Sequence, residues 1–287
     1  MKKLMTTSLG VLAIAVATPA LAQSDVTTNW TGPYVGGSLG YSWQPNFDRD
    51  TREVVAFDTN NDGAYGDQVR TLPSGGNAFE RGFCRGRALG SSPASCSSDK
   101  DGRTAWKVHA GYDYQMGNFV VGAVVEGGKS YIQNSVSAFS TTPASYTFTR
   151  ELSWDGAARL RAGYALPTGT LIYGTGGLAY GKIKNSFSAI NNTFNTFTES
   201  NRTDKDFGWT AGGGIEQKVA NNFSIGVLYK YTRFNDDGYT VNAGQGTPPS
   251  AVNAFVNPVF TSGSTNLQRT SDRFENHSVQ ATASFRF

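Results

Sequence analysis

Apolar and polar residues alternate in eight segments of the chain. A period of two is the pattern of a β-strand with one apolar and one polar face. In the closing segment the odd positions from Val279 to Phe287 are apolar, and the even positions from Ser278 to Arg286 are polar. We predict strands at 32–43, 104–115, 119–129, 150–165, 171–181, 206–218, 223–234 and 277–287.

The connections between these strands alternate between long and short. Barrels of the bacterial outer membrane have this asymmetry, with short periplasmic turns and long external loops, and an even number of strands places both termini in the periplasm. The predicted fold is therefore all-β, an eight-stranded antiparallel up-and-down transmembrane β-barrel in the outer membrane. The short turns lie near 116–118, 167–169 and 220–222, and the four long polar connections near 44–103, 130–149, 182–205 and 235–272.

The first 22 residues have the composition of a secretory signal peptide. A positive start with Lys2 and Lys3 precedes an apolar stretch over 9–16 and an Ala-Leu-Ala cleavage motif that ends at Ala22. We predict cleavage after Ala22, which leaves one barrel domain over 23–287. A retained N-terminal anchor is the alternative.

Charge and composition favour a barrel over a nucleic-acid-binding protein. Removing the signal peptide takes away two lysines, so the 25 basic and 22 acidic residues become nearly balanced, and no run of like charges remains. The 34 glycines, 13 tyrosines and 18 phenylalanines suit tight turns and the aromatic girdles of a barrel. We expect outer-membrane lipid and lipopolysaccharide as partners, and no nucleic acid.

The charged residues within the predicted strands fall on the polar, inward face. An eight-stranded barrel has an interior that side chains can fill, and an unpaired charge in so narrow a space is costly. We therefore predict a paired ionic and hydrogen-bonded network that fills the interior, with a narrow selective pore as the alternative. The predicted network comprises Lys107, Asp113, Glu126, Glu151, Asp155, Arg159, Arg161, Glu216, Lys230 and Arg286.

Three segments resemble the strands of small outer-membrane barrels: 30–43 (WTGPYVGGSLGYSW), 171–181 (LIYGTGGLAYG) and the closing Phe-Arg-Phe. The chain resembles the OmpA-like and opacity-type superfamily, and within it the alphaproteobacterial surface antigens of the porin family. The resemblance implies insertion by the outer-membrane assembly machinery, with Phe287 as part of the recognition signal. The long first loop departs from the shorter members, so no loop function is carried over from them.

Cys84 and Cys96 lie in one glycine- and serine-rich segment. In an exported protein we expect a disulfide that closes this loop. A metal pair is the alternative, although two thiols without a nearby histidine fall short of a zinc site.

Asp58, Asn60 and Asp62, followed by Gly63, match the first half of a calcium-binding loop. The twelfth position, where a bidentate acid is needed, is Val69. These residues are a weak candidate for a calcium site, and the alternative is a solvated turn. We predict no other metal site and no cofactor.

The sequence contains no recognisable catalytic set. His109 and His277 are the only histidines, and we expect the inward-facing His109 to be a hydrogen-bonded interior residue. We predict that the protein is not an enzyme. A barrel that modifies lipids is the main enzymatic alternative.

These features predict a barrel that contributes to envelope integrity and surface contact. An apolar belt anchors it in lipid, aromatic girdles fix its depth, and four external loops present a polar surface. One alternative is a narrow channel for small solutes. Another is loop-mediated adhesion or ligand binding, in which Arg81, Arg85 and Arg87 could hold an anionic partner; the sequence does not identify the loop partner.

Overall fold

The structure, a computed structural model, describes residues 28–44, 53–97, 102–236 and 238–287. The predicted signal peptide lies outside this part of the chain. Eight antiparallel strands form a sheet in which each strand pairs with the next, and the last pairs with the first to close a barrel. The strands are β1 (Gly32–Trp43), β2 (Arg103–Met116), β3 (Phe119–Lys129), β4 (Ser145–Ala165), β5 (Thr170–Ile190), β6 (Thr203–Ala220), β7 (Phe223–Asn235) and β8 (Arg273–Arg286).

The closed eight-stranded barrel confirms the predicted fold class. The three tight turns, the start of β1 and the end of β8 lie together, at what we call the turn end, and the long connections lie at the opposite, loop end. Position 117 in the first turn favours glycine, because its φ of 61° falls in the left-handed region. The described residues contain no α-helix with the length and apolarity that crossing a bilayer requires.

The outward face of the barrel is apolar although none of the described residues covers it. Leu160 and Leu178, midway along their strands, are 71% and 69% exposed. Such a continuous apolar belt is unfavourable in water and is the surface that a barrel presents to lipid. Exposed aromatic side chains border the belt at the turn end (Tyr112, Tyr114, Phe119, Tyr164, Phe223 and Phe285) and at the loop end (Tyr41, Trp106, Trp154, Phe207 and Trp209).

A β-bulge interrupts the alternation of β4. Trp154 pairs with Lys182 and Leu152 pairs with Ile183, so Ser153 is an extra residue without a partner in the register. An extra residue reverses the sides on which the following side chains point. Leu152 therefore points inward and is buried, although the sequence pattern placed it on the outer face with Trp154.

The four long connections fold together at the loop end into a structure that we call the cap. Two barrel strands extend into it, because β4 and β5 are each 21 residues long. An additional strand, Gln133–Phe139, pairs with the loop end of β4. A separate four-stranded sheet has the order Asn195–Ser200, Thr240–Gln245, Thr265–Arg269 and Val55–Asp58, and short strands also form at Phe83–Cys84, Arg87–Ala88 and Cys96–Ser97.

The cap has its own hydrophobic core. The sequence predicted polar external loops and therefore no such core. The prediction of loops at 130–149 and 182–205 is wrong over most of their length, because these residues continue the β-structure. Buried residues of the first, second and fourth connections and of β4 build the core, and partly buried residues of the third connection, such as Phe197, pack against it. The buried residues are Val55, Phe57, Val69, Ala78, Phe79, Val136, Ala138, Ala144, Tyr146, Phe148, Tyr239, Val241, Ala243, Phe255 and Leu267.

Candidate functional site

Two carboxylates and two guanidinium groups fill the barrel interior near the turn end. Asp113 accepts a hydrogen bond from Arg161 Nε at 2.6 Å and one from Arg286 Nη1 at 2.8 Å. Glu216 accepts bonds from the same two arginines at 3.0 and 3.1 Å. All four side chains are at most 5% exposed. We call these residues the turn-end cluster; its charges balance, which is the condition for burying ions in so small a space.

Aromatic rings cover the arginines of the turn-end cluster. The guanidinium carbon of Arg161 lies 4.7 Å from the ring centre of Tyr34 and 4.9 Å from that of Tyr173. Arg286 lies 4.5 Å from the ring of Trp30 and 4.6 Å from that of Tyr34. Each guanidinium is thus held by carboxylates in its plane and by ring faces, the arrangement to which arginine is suited.

A second group of charges occupies the middle of the barrel. Glu126 accepts a hydrogen bond from Arg159 at 2.7 Å and forms an ion pair with Lys230. Lys107 forms an ion pair with Asp155. Between this level and the turn-end cluster a cavity of about 20 Å³ remains, which is room for about one water molecule. The paired charges therefore leave little free space at this level of the interior.

An apolar layer lies above the middle charges, towards the loop end. It is made by inward side chains of four barrel strands together with one residue that follows β3. Leu152 belongs to it because of the bulge at Ser153. The buried residues of this layer are Ile132, Leu152, Ala179, Ile183, Phe234 and Phe274.

A third ionic group joins the barrel to the cap. Arg150 contacts Glu53 and Asp236, each at 3.3 Å, and Arg269 donates from Nε to Glu53 at 3.1 Å. Burial by itself raises the pKa of Glu53, but Arg269 and Arg150 outweigh this effect and hold the pKa below its usual range. Burial, reinforced by the neighbouring Arg150, lowers the pKa of Arg269 to about 10. We call these four residues the cap-base cluster.

The structure places nine of the ten predicted network residues in the interior, where they form the two clusters described above. Glu151 is the exception and its assignment is wrong, because it is exposed on the outer face. The bulge at Ser153 turns Glu151 outward and brings Arg150 inward in its place. The sequence reading missed the cap-base cluster, since its members belong to distant segments and no periodic pattern links them.

The structure confirms the disulfide between Cys84 and Cys96. The nearby Arg81, Arg85 and Arg87 are exposed on the cap surface, so their proposed role with an anionic partner remains a prediction. In the interior, His109 Nε2 lies 2.9 Å from Ser284 Oγ.

The calcium candidate forms a turn closed by its own hydrogen bonds. The buried carboxylate of Asp58 accepts bonds from the backbone amides of Asp62 at 3.2 Å and Gly63 at 3.1 Å. The side chain of Asn60 donates to Asp62 at 2.9 Å. Within the described ranges, no group of three or more histidine, cysteine or acidic residues is arranged to hold a metal ion.

A family model described as "Outer membrane protein beta-barrel domain" matches residues 8–287. The chain belongs to this family. A relative from Brucella melitensis, the "31 kDa outer-membrane immunogenic protein", is 30% identical over 221 residues, which is 75% of each chain. The "22 kDa outer membrane protein" of Rhizobium leguminosarum is 31% identical over 138 residues, or 48% of this chain and 56% of that protein.

Among solved structures, the outer membrane protein OprG from Pseudomonas aeruginosa aligns with a TM-score of 0.48 and 10% identity over 90% of this chain and 98% of that one. Membership of the family places the protein in the cell outer membrane. The turn end of this outer-membrane barrel therefore faces the periplasm, and the cap faces the exterior.

Proposed function

We propose that this outer-membrane barrel is a closed, non-enzymatic anchor that contributes to envelope integrity and holds the cap in place for surface contact. The observation that carries the proposal is the filled interior, in which ionic clusters and an apolar layer succeed one another from the periplasmic end to the cap. A pore would need a continuous polar path. The layers of this barrel are instead packed side chain against side chain.

The apolar layer is the strongest obstacle to solute passage. Phe234 and Phe274 are fully buried within it, and Arg150 Cζ lies 5.3 Å from the ring centre of Phe274. An ion that crossed this layer would lose its hydration without gaining polar partners, and that loss is costly. The layer and the clusters on both sides of it therefore support a closed barrel.

The cap supports a role in surface contact because it is a folded surface rather than a set of independent loops. Its core joins residues from all four connections, and the cap-base cluster fixes it to β4 through Arg150. A preorganised surface loses less conformational entropy when a partner binds than flexible loops would. The function that this favours for the external residues is binding to a partner outside the cell, rather than solute passage.

A planar-bilayer recording tests closure against the alternative of a narrow channel. We expect the purified protein, once inserted, to give no stable single-channel steps, because charged clusters and an apolar layer succeed one another along the described interior. A general porin added to the same membrane serves as the positive control, and heat-modifiable gel mobility verifies that the recorded sample is folded. Reproducible steps of one conductance from the folded protein would show that it is a channel and overturn the proposal.

We also propose that Phe287 is part of the signal read by the assembly machinery. Its ring is 74% exposed on the outer face and lies 5.2 Å from that of Phe285, while its amide donates to the carbonyl of Pro33 at 3.1 Å. Deleting Phe287 should reduce the amount in the outer membrane several-fold with little effect on export. Fractionation with immunoblotting measures both, and Phe287→Tyr, which keeps a terminal aromatic residue, is the matched control. Normal outer-membrane levels of the deletion would refute this role.

A further inference from the structure

The cap contains a cavity of about 270 Å³ that opens to the exterior. All four long connections contribute to its wall: the first through Phe79, the second through Ala144, the third through Asn195 and the fourth through Phe255. The cavity therefore exists only when the four connections are folded together. A site formed by every connection of the cap is a stronger candidate for ligand binding than a surface depression within one loop.

Aromatic rings form the floor of this cavity. Phe79, Tyr146 and Phe255 contact one another, with ring centres 5.3 to 5.9 Å apart. All three are buried members of the cap core, so their positions are fixed before any ligand arrives. A floor of this kind binds the apolar face of a ring compound.

Amide groups form the rim of the cavity and hold its edges in place. Asn191 donates from Nδ2 to the carbonyl of Pro143 at 2.6 Å, which ties the third connection to the second. Asn253 donates to the carbonyl of Phe194 at 3.0 Å, which ties the fourth connection to the third. The mouth is thus preformed, with polar groups around an apolar floor, as in most small-molecule sites.

One polar atom of the cavity wall lacks a partner. The Oδ1 atom of Asn195 is buried, and no hydrogen-bond donor reaches it from the described residues. A buried acceptor without a donor is unfavourable, so a ligand whose donor draws the Asn195 amide towards the cavity would gain by binding there. Moreover, the residues that line the cavity carry no charged side chain, which disfavours ionised ligands because their charge would lose hydration without a counter-ion.

The volume limits the size of the ligand. A cavity of about 150 Å³ takes one benzene ring, and sites for drug-sized molecules begin at about 300 Å³. The cavity lies between these values, close to the upper one. We infer that it binds an uncharged compound of one or two rings that carries a hydrogen-bond donor, with the ring on the aromatic floor and the donor on Asn195. This function goes beyond anchoring and does not depend on whether the barrel conducts.

Three probes of similar shape test the inference on the full-length protein in lipid nanodiscs. 1-Naphthol is uncharged and carries a donor, naphthalene lacks the donor, and 1-naphthoate is charged. We expect saturable binding of 1-naphthol at one site, with at least threefold weaker binding of the other two. Isothermal titration measures the affinities after subtraction of the signal from empty nanodiscs, which accounts for partition into lipid. An absence of saturable 1-naphthol binding, or equal affinity for naphthalene, would overturn the inference.

Matched variants locate the binding. Asn195→Leu removes the acceptor at nearly constant volume and should weaken 1-naphthol binding about three- to tenfold. Ala144→Leu fills part of the cavity and should weaken it at least as much. Thr198→Leu, on the exposed face of the same strand as Asn195 and outside the lining of the cavity, is the control and should bind like the unaltered protein. Resistance to protease verifies that each cap is folded. Unchanged affinity in folded Asn195→Leu would refute the site.

Discussion

Replacing Asp113 with asparagine should lower the free energy of unfolding of the barrel by about 3–5 kcal/mol. The carboxylate of Asp113 is fully buried and pairs with both Arg161 and Arg286. Asparagine keeps the shape but not the charge, so two buried guanidinium groups would share Glu216 as their only carboxylate in the turn-end cluster. The loss is large because those arginines cannot reach water without opening the barrel.

Urea unfolding in lipid vesicles, followed by heat-modifiable gel mobility, measures this effect. Asp272→Asn is the matched control, since the carboxylate of Asp272 forms an exposed ion pair with Arg273 at 3.7 Å, and such pairs contribute about 0–1 kcal/mol. Equal stability of the two variants would mean that the charge of Asp113 contributes little to the stability of the barrel. Arg161 and Arg286 would then be stabilised by other groups.

Replacing Phe255 with alanine should destabilise the cap by about 3–5 kcal/mol while the barrel stays folded. The Phe255 ring is 4% exposed and packs against the rings of Phe57, Phe79 and Tyr146. Its removal leaves a void in the middle of the cap core. Because lipid and the interior clusters hold the barrel independently, we expect local rather than global unfolding.

Limited proteolysis of the protein in vesicles tests the effect of Phe255→Ala. The variant should be cleaved faster in the long connections and keep the heat-modifiable mobility of a folded barrel. Val259→Ala is the control, because Val259 lies in the same connection and is 70% exposed. A simultaneous loss of barrel mobility would show that cap and barrel fold as one unit, and unchanged cleavage would show that the cap core adds no stability.

The membrane-spanning part of the fold could be predicted from the sequence because lipid imposes a strict rule. Every outward residue must be apolar, and the inward face of a narrow barrel must pair its charges. The predicted bounds of the strands at 32–43 and 119–129 therefore match β1 and β3. Nine of the ten network residues also lie where the pattern placed them.

Outside the membrane the rule of apolar outward and paired inward residues does not apply, and the sequence therefore did not predict the structure of the cap. Residues 145–149 also alternate, as Ser-Tyr-Thr-Phe-Thr, but they adjoin a polar stretch, and the prediction includes them in the connection 130–149. In the structure they continue β4 into the cap, where both of its faces are buried. The bulge has no signature in a single sequence, and it determines whether Glu151 or Arg150 points inward. The pairing of Glu53 with Arg269 joins positions 216 residues apart, and only the folded cap brings them together.

The length of β4 and β5 determines how far the cap stands above the membrane. A tilted strand needs about 9–11 residues to cross the hydrocarbon, so about half of each 21-residue strand projects outward. At about 3.3 Å per residue and a tilt near 40°, the projecting halves reach roughly 25–30 Å beyond the lipid. Their tips carry residues 140–144 and 191–194, which include the rim of the cap cavity. The opening of the cap cavity therefore stands clear of the lipid surface, where an approaching cell, antibody or dissolved molecule can reach it.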